Sequence, residues 1–495
     1  MCENVIKAVW NFPNIPRPFK IIDWKQRTVD YDGLVYDFNA KGDFLPLISL
    51  DKKGVNFGKT LFNMPSYVNC VKRRAEGKEE SINLLASVIS STLVGIDKSK
   101  GELDYVDMLE EFFNVKNGEN MFLNFTSSHT GKSFWYETYP AMLLCILSAY
   151  YKHSWIKEKL ILEADNICKT IIKLKGNFNH TAFDFITGKP YDNGCWNEPE
   201  VAAGYAYILF YVYKFTKNEK YLDFTFKCMD YLNDLTFNPL YELMLPYGVY
   251  VAAKLNAEYG KKYNINKIIN WCFDGDAANR PGWGVINERW GDYDCYGLIG
   301  SKTDSNQRWD KIRGTETLKN FDVKTGGYAF AGNTFSYIAG ILPAVLYDNS
   351  LACDVGKWLL NLSNAARLFY SDGLSQKNQS CAWWDGNRNN AISYEGLKKC
   401  WDTMTPYATA DNMRYAWGGI DLCLYGGAHL GFLGGTINRT DDDKILAFDL
   451  SAFDISGINK VKKYLIYNPY SIKKAFVFKS KKYIAEAKNF LIAED

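Results

Sequence analysis

A chain of 495 residues, 47% hydrophobic and 23% charged, has the composition of a folded protein and not of a disordered one. Its 58 basic and 56 acidic residues leave a formal net charge of +2, so no basic excess draws the whole protein to nucleic acid or an anionic membrane. The strongest apolar runs, "AMLLCILSAYY" and "GYAYILFYVY", are too short to span a bilayer and read as buried helices.

The opening "MCENVIKAVWNFPNIPRPF" lacks a basic stretch followed by a long apolar run, and is not a signal peptide. The twelve cysteines are scattered without a C-x-x-C pair and are expected to pack as small hydrophobes. Together these suggest a cytoplasmic setting; secretion after removal of a leader is the alternative. Residues 1–79 are expected to form an irregular arm rich in Pro, Asp and Gly, with "GLVYDF" and "DFLPLISL" as short strands.

Residues 80–438 follow a helical period. Ile82, Leu85, Ile89, Leu93 and Ile96 fall on one face, as do Ile156, Leu160, Ile167, Ile171 and Leu174. The second of these stretches carries Lys and acids on its other face, as an outer, half-exposed helix does. A different kind of helix alternates with them, starting near Ser133, Trp196, Leu245, Gly326 and Ala416. These helices are apolar nearly all round and rich in Gly and Ala, which marks burial on every side and close backbone approach. Pro140, Pro199 and Pro246 fall in or near their first turns, where Pro is tolerated. The alternation predicts a mainly α fold, an (α/α)6 toroid whose ring of helical hairpins is complete or incomplete, with the inner-helix starts converging on one mouth. Residues 439–495 switch to β-branched and aromatic alternation, as in "KILAFDLSAF", "KKYLIYNPY" and "KKAFVFKSKKYI". They predict a small C-terminal β segment packed on the helices.

The stretch from Asp274 to Thr325 is too long for a structureless connection and is expected to be an ordered wall of a site. Within it, "GWGVINERWGDYDCYGLIGS" sets Glu288, Arg289, Asp292 and Asp294 among Trp283, Trp290, Tyr293 and Tyr296. Other polar and aromatic residues cluster at inner-helix starts: Trp135, Tyr136 and Glu137; Trp196, Asn197 and Glu198; Tyr328 and Asn333; Trp417, Asp421 and His429. This combination resembles the six-hairpin (α/α)6-toroid superfamily of carbohydrate-active enzymes, over roughly Glu80 to Asn438. The resemblance rests on architecture and site texture and implies a substrate class: an oligosaccharide or polysaccharide.

Hydrolysis of a glycosidic bond needs one protonated and one ionised carboxyl. Glu288, between Trp283 and Trp290, is the expected general acid, because aromatic surroundings desolvate a carboxyl and raise its pKa. Glu137 is the expected partner, with Asp292, Asp294 and Glu198 in reserve. The aromatic, amide and remaining polar residues named above, Arg289 included, are the expected substrate contacts. The leading expectation is a glycoside hydrolase acting on neutral sugars with inversion. A polysaccharide lyase or sugar isomerase using Tyr328, His429, Arg289 and Asn333, or a non-catalytic glycan-binding protein, are the alternatives. No metal motif, phosphate-binding loop or other cofactor signature is present: the four His are dispersed, and "DGDAANRPG" lacks the later ligands of a calcium loop. Nothing in the sequence sets an oligomeric state.

Overall fold

The computed structural model describes residues 4–73, 80–302, 327–410, 420–455 and 461–495. Its body is mainly α. The helices that build it are α1 (Trp24–Val35), α2 (Ser81–Leu93), α3 (Phe134–Tyr150), α4 (Ser154–Lys173), α5 (Val201–Thr216) and α6 (Glu219–Asp234). They continue with α7 (Leu245–Tyr259), α8 (Ile265–Asp274), α9 (Ala331–Ile341), α10 (Ala352–Ala365) and the short α11 (Leu424–Ala428) and α12 (Gly431–Gly434). None is long and apolar enough to cross a membrane among the described residues.

Helix α2 packs on α3, α3 on α5, α5 on α7, α7 on α9, and α9 on α11 and α12. The last two pack back on α2, so the succession of contacts returns to its start. The sequence explains who takes part. Helices α3, α5, α7 and α9 are buried on nearly all sides. Small residues let their backbones close up: a Cβ on Gly340 would stand 2.6 Å from the backbone of Pro246, so α9 lies directly on the start of α7. The lysine-bearing α4 packs outside α3 and α5, and α6, which alternates apolar and charged residues, packs outside α5.

Several expectations need correction. Helix α2 is not one-faced; Ser81, Asn83, Ser87, Ser90 and Ser91 are buried too, because short hydroxyl and amide side chains find partners inside the body. Pro140 lies in the second turn of α3, so it supplies no N–H to the carbonyl of Tyr136. The expected helix from Ala416 begins outside the described residues; in its described part residues 420–423 are not helical and two short helices follow at 424–434. In the N-terminal arm, Gly33, Leu34 and Val35 end helix α1 and form no strand; Asp23 caps that helix by accepting from the Gln26 N–H. Cys353 is disulfide-bonded, whereas the ten cysteines at 70, 145, 168, 195, 228, 272, 295, 381, 400 and 423 are thiols outside any disulfide.

Among the described residues two sheets have more than two strands. One is a five-stranded antiparallel meander of β1 (Trp283–Val285), β2 (Ile299–Ser301), β3 (Tyr328–Phe330), β4 (Gly396–Lys398) and β5 (Tyr407–Thr409), each strand beside the next. The expected ordered wall thus contributes two strands, β1 and β2, to this sheet, and β3 runs directly into α9. The other sheet joins β6 (Ile437–Arg439), β7 (Leu446–Asp449), β8 (Lys463–Tyr467) and β9 (Phe490–Glu494) in that order. Strand β8 packs on α10, and its inward residues Leu465 and Tyr467 belong to the same apolar core as the helices.

Candidate functional site

The N-terminal ends of the inner helices are stitched to one another by side chains. Ser66 joins the starts of α2 and α11: its hydroxyl donates to Glu80, and its carbonyl accepts from the N–H groups of Leu424 and Tyr425. Glu198, just before α5, accepts from the Ser133 hydroxyl and the Trp135 N–H at the start of α3. Glu200 accepts from the N–H groups of Glu242, Leu243 and Leu245 at the start of α7. Asn333 on α9 reaches Glu242 at 3.4 Å. The free N–H groups and macrodipoles of several helices thus converge on one rim, which accounts for the acids gathered there.

Most of those acids are consumed by this work. Glu137 accepts from the Lys132 and Ser133 N–H groups with one oxygen, and burial pushes its carboxyl well above the usual range. At 3.6 residues per turn it lies about 200° around α3 from Trp135, with Glu198 and Tyr205 of the α5 segment as its electrostatic neighbours. Burial also pushes Glu198 up to about 8 and Glu200 up to about 7, against the backbone donors that lower both. All three are buried and bonded to helix starts.

Glu242 differs. Its carboxylate is ion-paired with Arg280 and its side chain is 17% exposed. Around the pair stand aromatic faces: the Arg280 guanidinium lies 3.7 Å from the centre of the Trp283 ring and 5.3 Å from that of Tyr241. Tyr241 in turn stacks on Trp196 at 6.0 Å, nearly parallel. The Trp283 indole donates to the Glu242 carbonyl, fixing the ring beside it. The wall continues through Phe330, which touches both Trp283 and Tyr328, to a second carboxylate. Glu395 accepts from the Tyr67 hydroxyl at 2.6 Å and the Tyr328 hydroxyl at 3.2 Å. On the α3 side, Tyr136 is 45% exposed, edge-on to Trp135, and Trp135 lies 6.1 Å from Tyr425.

No protein-family model matches this chain, and no curated protein matches it either. Its site is therefore read from geometry alone.

The stretch "GWGVINERWGDYDCYGLIGS" divides. Trp283 belongs to the rim, but the hairpin of Arg289–Trp290 and Tyr293–Asp294 sits on the N-terminal arm and on α10. Asp294 is buried and accepts from the Arg17 N–H. Arg289 folds back onto the carbonyls of Gly291 and Asp292, and Asp292 itself is exposed. Glu288 is held between the Lys399 ammonium at 2.7 Å and the Trp290 indole at 2.9 Å, and Trp290 is fully buried. Tyr293 is half-buried on the same hairpin.

Of the other expected residues, Asn197 is turned to Asn179, and Asp421 is buried under the hydroxyls of Ser380 and Thr409. His429 lies deep between the helices, 1% exposed. Its Nδ1–H donates to the Tyr425 carbonyl and its Nε2 takes the Tyr139 hydroxyl, each at 3.1 Å. Burial brings it down to about 4, so it is a neutral, satisfied core histidine. Trp417 lies outside the described residues. Among the described residues no group of three or more His, Cys, Asp or Glu is placed to hold a metal ion.

The sequence reading missed Glu242, Tyr241, Arg280, Glu395 and Tyr67. A signal existed for Glu242: "LYELMLPYG" sets an acid beside an aromatic just before an inner helix, as "FWYETYP" and "WNEPE" do. Glu395 and Tyr67 gave none, because long-range packing of loops brings them to Tyr328.

Proposed function

We propose that the inner helices form an (α/α)6 toroid and that its N-terminal rim is a carbohydrate-processing site, a glycoside hydrolase acting on neutral sugars. The closed succession of helix contacts supports the architecture. One observation carries the function: the Glu242–Arg280 pair, its carboxylate partly exposed and its guanidinium buried, with Asn333 beside it, framed by Trp283, Tyr241 and Trp196. Aromatic faces with a few placed polar groups suit a flat, hydroxylated ring. In this reading Glu242 is the ionised carboxylate and Glu395, across Tyr328 and Phe330, is the second carboxyl that hydrolysis requires. Glu288 remains the competing candidate for that second place.

The two tyrosine hydroxyls on Glu395 favour a second reading, a lyase or isomerase in which Tyr67 or Tyr328 moves the proton. Incubation with neutral and uronate-containing polysaccharides separates the two. New reducing ends without unsaturated-uronate absorbance support the hydrolase; that absorbance supports the lyase. Binding without turnover at any pH supports a glycan-binding protein and removes both catalytic readings.

A further inference from the structure

Next to Glu395 in the chain, the loop from Ser371 to Tyr394 encloses a cavity of about 230 Å³ against Leu422. Its walls are fixed from within. The Gln379 amide donates to the carbonyls of Ser371 and Leu374 and accepts from the Tyr394 hydroxyl. Asn387 exchanges two hydrogen bonds with the backbone of Ile392, and the Ser371 hydroxyl holds the Asn390 side-chain oxygen at 2.6 Å. Groups held this way stay in place when a ligand arrives.

Set into those walls are groups with nothing to bind. The side chains of Gln376 and Asp385, the Asn390 amide nitrogen and the Trp384 indole N–H have no hydrogen-bond partner among the described residues, and all four residues line the cavity. Trp384 is only 7% exposed, so packing holds its ring in place while its indole N–H is left to a ligand. Gly386 makes the arrangement possible, since any Cβ there would run into the Trp384 ring. The neighbouring Trp383, by contrast, is 65% exposed at the edge of the same loop.

The chemistry of the lining selects a ligand class. Among the described residues no cation lines the cavity; Arg27 is committed to Asp372 at 2.7 Å and Arg388 to Asp37 at 3.2 Å. A phosphate, sulfate or uronate therefore finds no counter-charge. The cavity's one thiol, Cys381, is pushed up to about 11 by burial and offers no nucleophile. What remains is amide donors and acceptors, one carboxylate acceptor, an indole donor and aromatic surface. That set matches the alternating hydroxyls and apolar face of one neutral sugar ring, and the volume lies below the roughly 300–1,000 Å³ of sites for larger ligands.

We propose that this cavity is a second, non-catalytic binding site for a neutral saccharide, with Trp383 as an exposed platform beside it. It stands on the cavity alone and holds whether or not the rim is catalytic. Maltotriose, cellotriose, xylotriose and mannotriose, titrated calorimetrically into the full chain, supply the test. In a Tyr136→Ala, Trp196→Ala background, which disables the rim by removing two of its aromatic faces, at least one trisaccharide still binds. Gln376→Ala or Asp385→Ala, both exposed and so neutral for folding, then weakens that binding about tenfold. Binding that neither substitution weakens, or no binding of any of the four in the rim-disabled chain, overturns the proposal. Binding lost only in the rim-disabled chain places every saccharide at the rim: it sinks the second site and leaves the proposed function standing. Binding lost only in the cavity variants does the reverse.

Discussion

Glu242 and Arg280 form an ion pair at the rim, and the guanidinium lies 3.7 Å from the centre of the Trp283 ring. One residue precedes an inner helix and the other follows an outer one, so the pair exists only because the hairpins are folded together. Its partial exposure separates it from Glu137, Glu198 and Glu200, whose carboxyls are spent on helix starts.

Comparison of two conservative variants follows from that contrast. Glu242→Gln keeps the shape but removes the charge, and kcat should fall about 10²–10⁴-fold while saccharide binding persists. Glu288→Gln should leave turnover near wild type, since Glu288 is committed to Lys399 and Trp290. Steady-state kinetics of both variants decide the matter; the opposite ranking returns Glu288 to the catalytic pair.

Tyr136 offers the most exposed ring of the rim, braced edge-on by Trp135 at 4.3 Å. Tyr136→Ala should raise KM about three- to tenfold with kcat little changed, the signature of lost binding that is equal in ground and transition states. A fall in kcat with KM constant would instead give the ring a role in the transition state.

These contrasts also show what the sequence made legible. Helices α3, α5, α7 and α9 were readable because burial on every side leaves a run of apolar and small residues that no outer helix can carry. The C-terminal strands were readable from their alternation. The division of "GWGVINERWGDYDCYGLIGS" was not, because composition says that aromatics and acids are crowded but not that β1 and the following hairpin face different surroundings. Nor does composition tell an acid that caps a helix from one that meets solvent. Glu137 and Glu242 sit in similar local sequences; the difference is made by Lys132 and Ser133 in one case and by the distant Arg280 in the other.

Glu163 on α4 carries a pH dependence. It is fully buried, accepts only from the Phe122 N–H, and burial pushes its carboxyl from 4.5 up to about 8. Between those two values the folded chain keeps a proton that the unfolded chain releases. Stability therefore falls as pH rises from about 4.5 to about 8. Glu163→Gln, which mimics the protonated acid, should flatten that decline. It will not abolish it, because Glu198 and Glu200 shift in the same direction. Urea-unfolding curves at several pH values measure the slope; an unchanged slope in the variant refutes the assignment.

The opposite ends of the inner helices are closed by a buried charge. Lys254, near the end of α7, is fully buried and paired at 2.9 Å with Asp454 in the loop after β7. Asp454 also accepts from the hydroxyls of Tyr250 at 2.7 Å and Tyr347 at 2.8 Å. Burial alone would raise the Asp454 carboxyl, but Lys254 and the two tyrosines outweigh it and hold it below its usual 3.8. Its contribution is thus present above that value and lost as pH falls through the lower folded one. Asp454→Asn leaves the buried Lys254 ammonium with only the partly exposed Glu258 carboxylate, at 3.4 Å, as counter-charge, so the loss should approach but stay below the about 3–5 kcal/mol of a fully stranded buried charge. The expected result is a lower urea midpoint with an unchanged slope, because the same surface is exposed on unfolding. Replacing both partners, Lys254→Met with Asp454→Leu, removes the stranded charge and should recover most of the loss. A midpoint unmoved by Asp454→Asn would mean that the C-terminal segment is held to the helices by its apolar contacts alone.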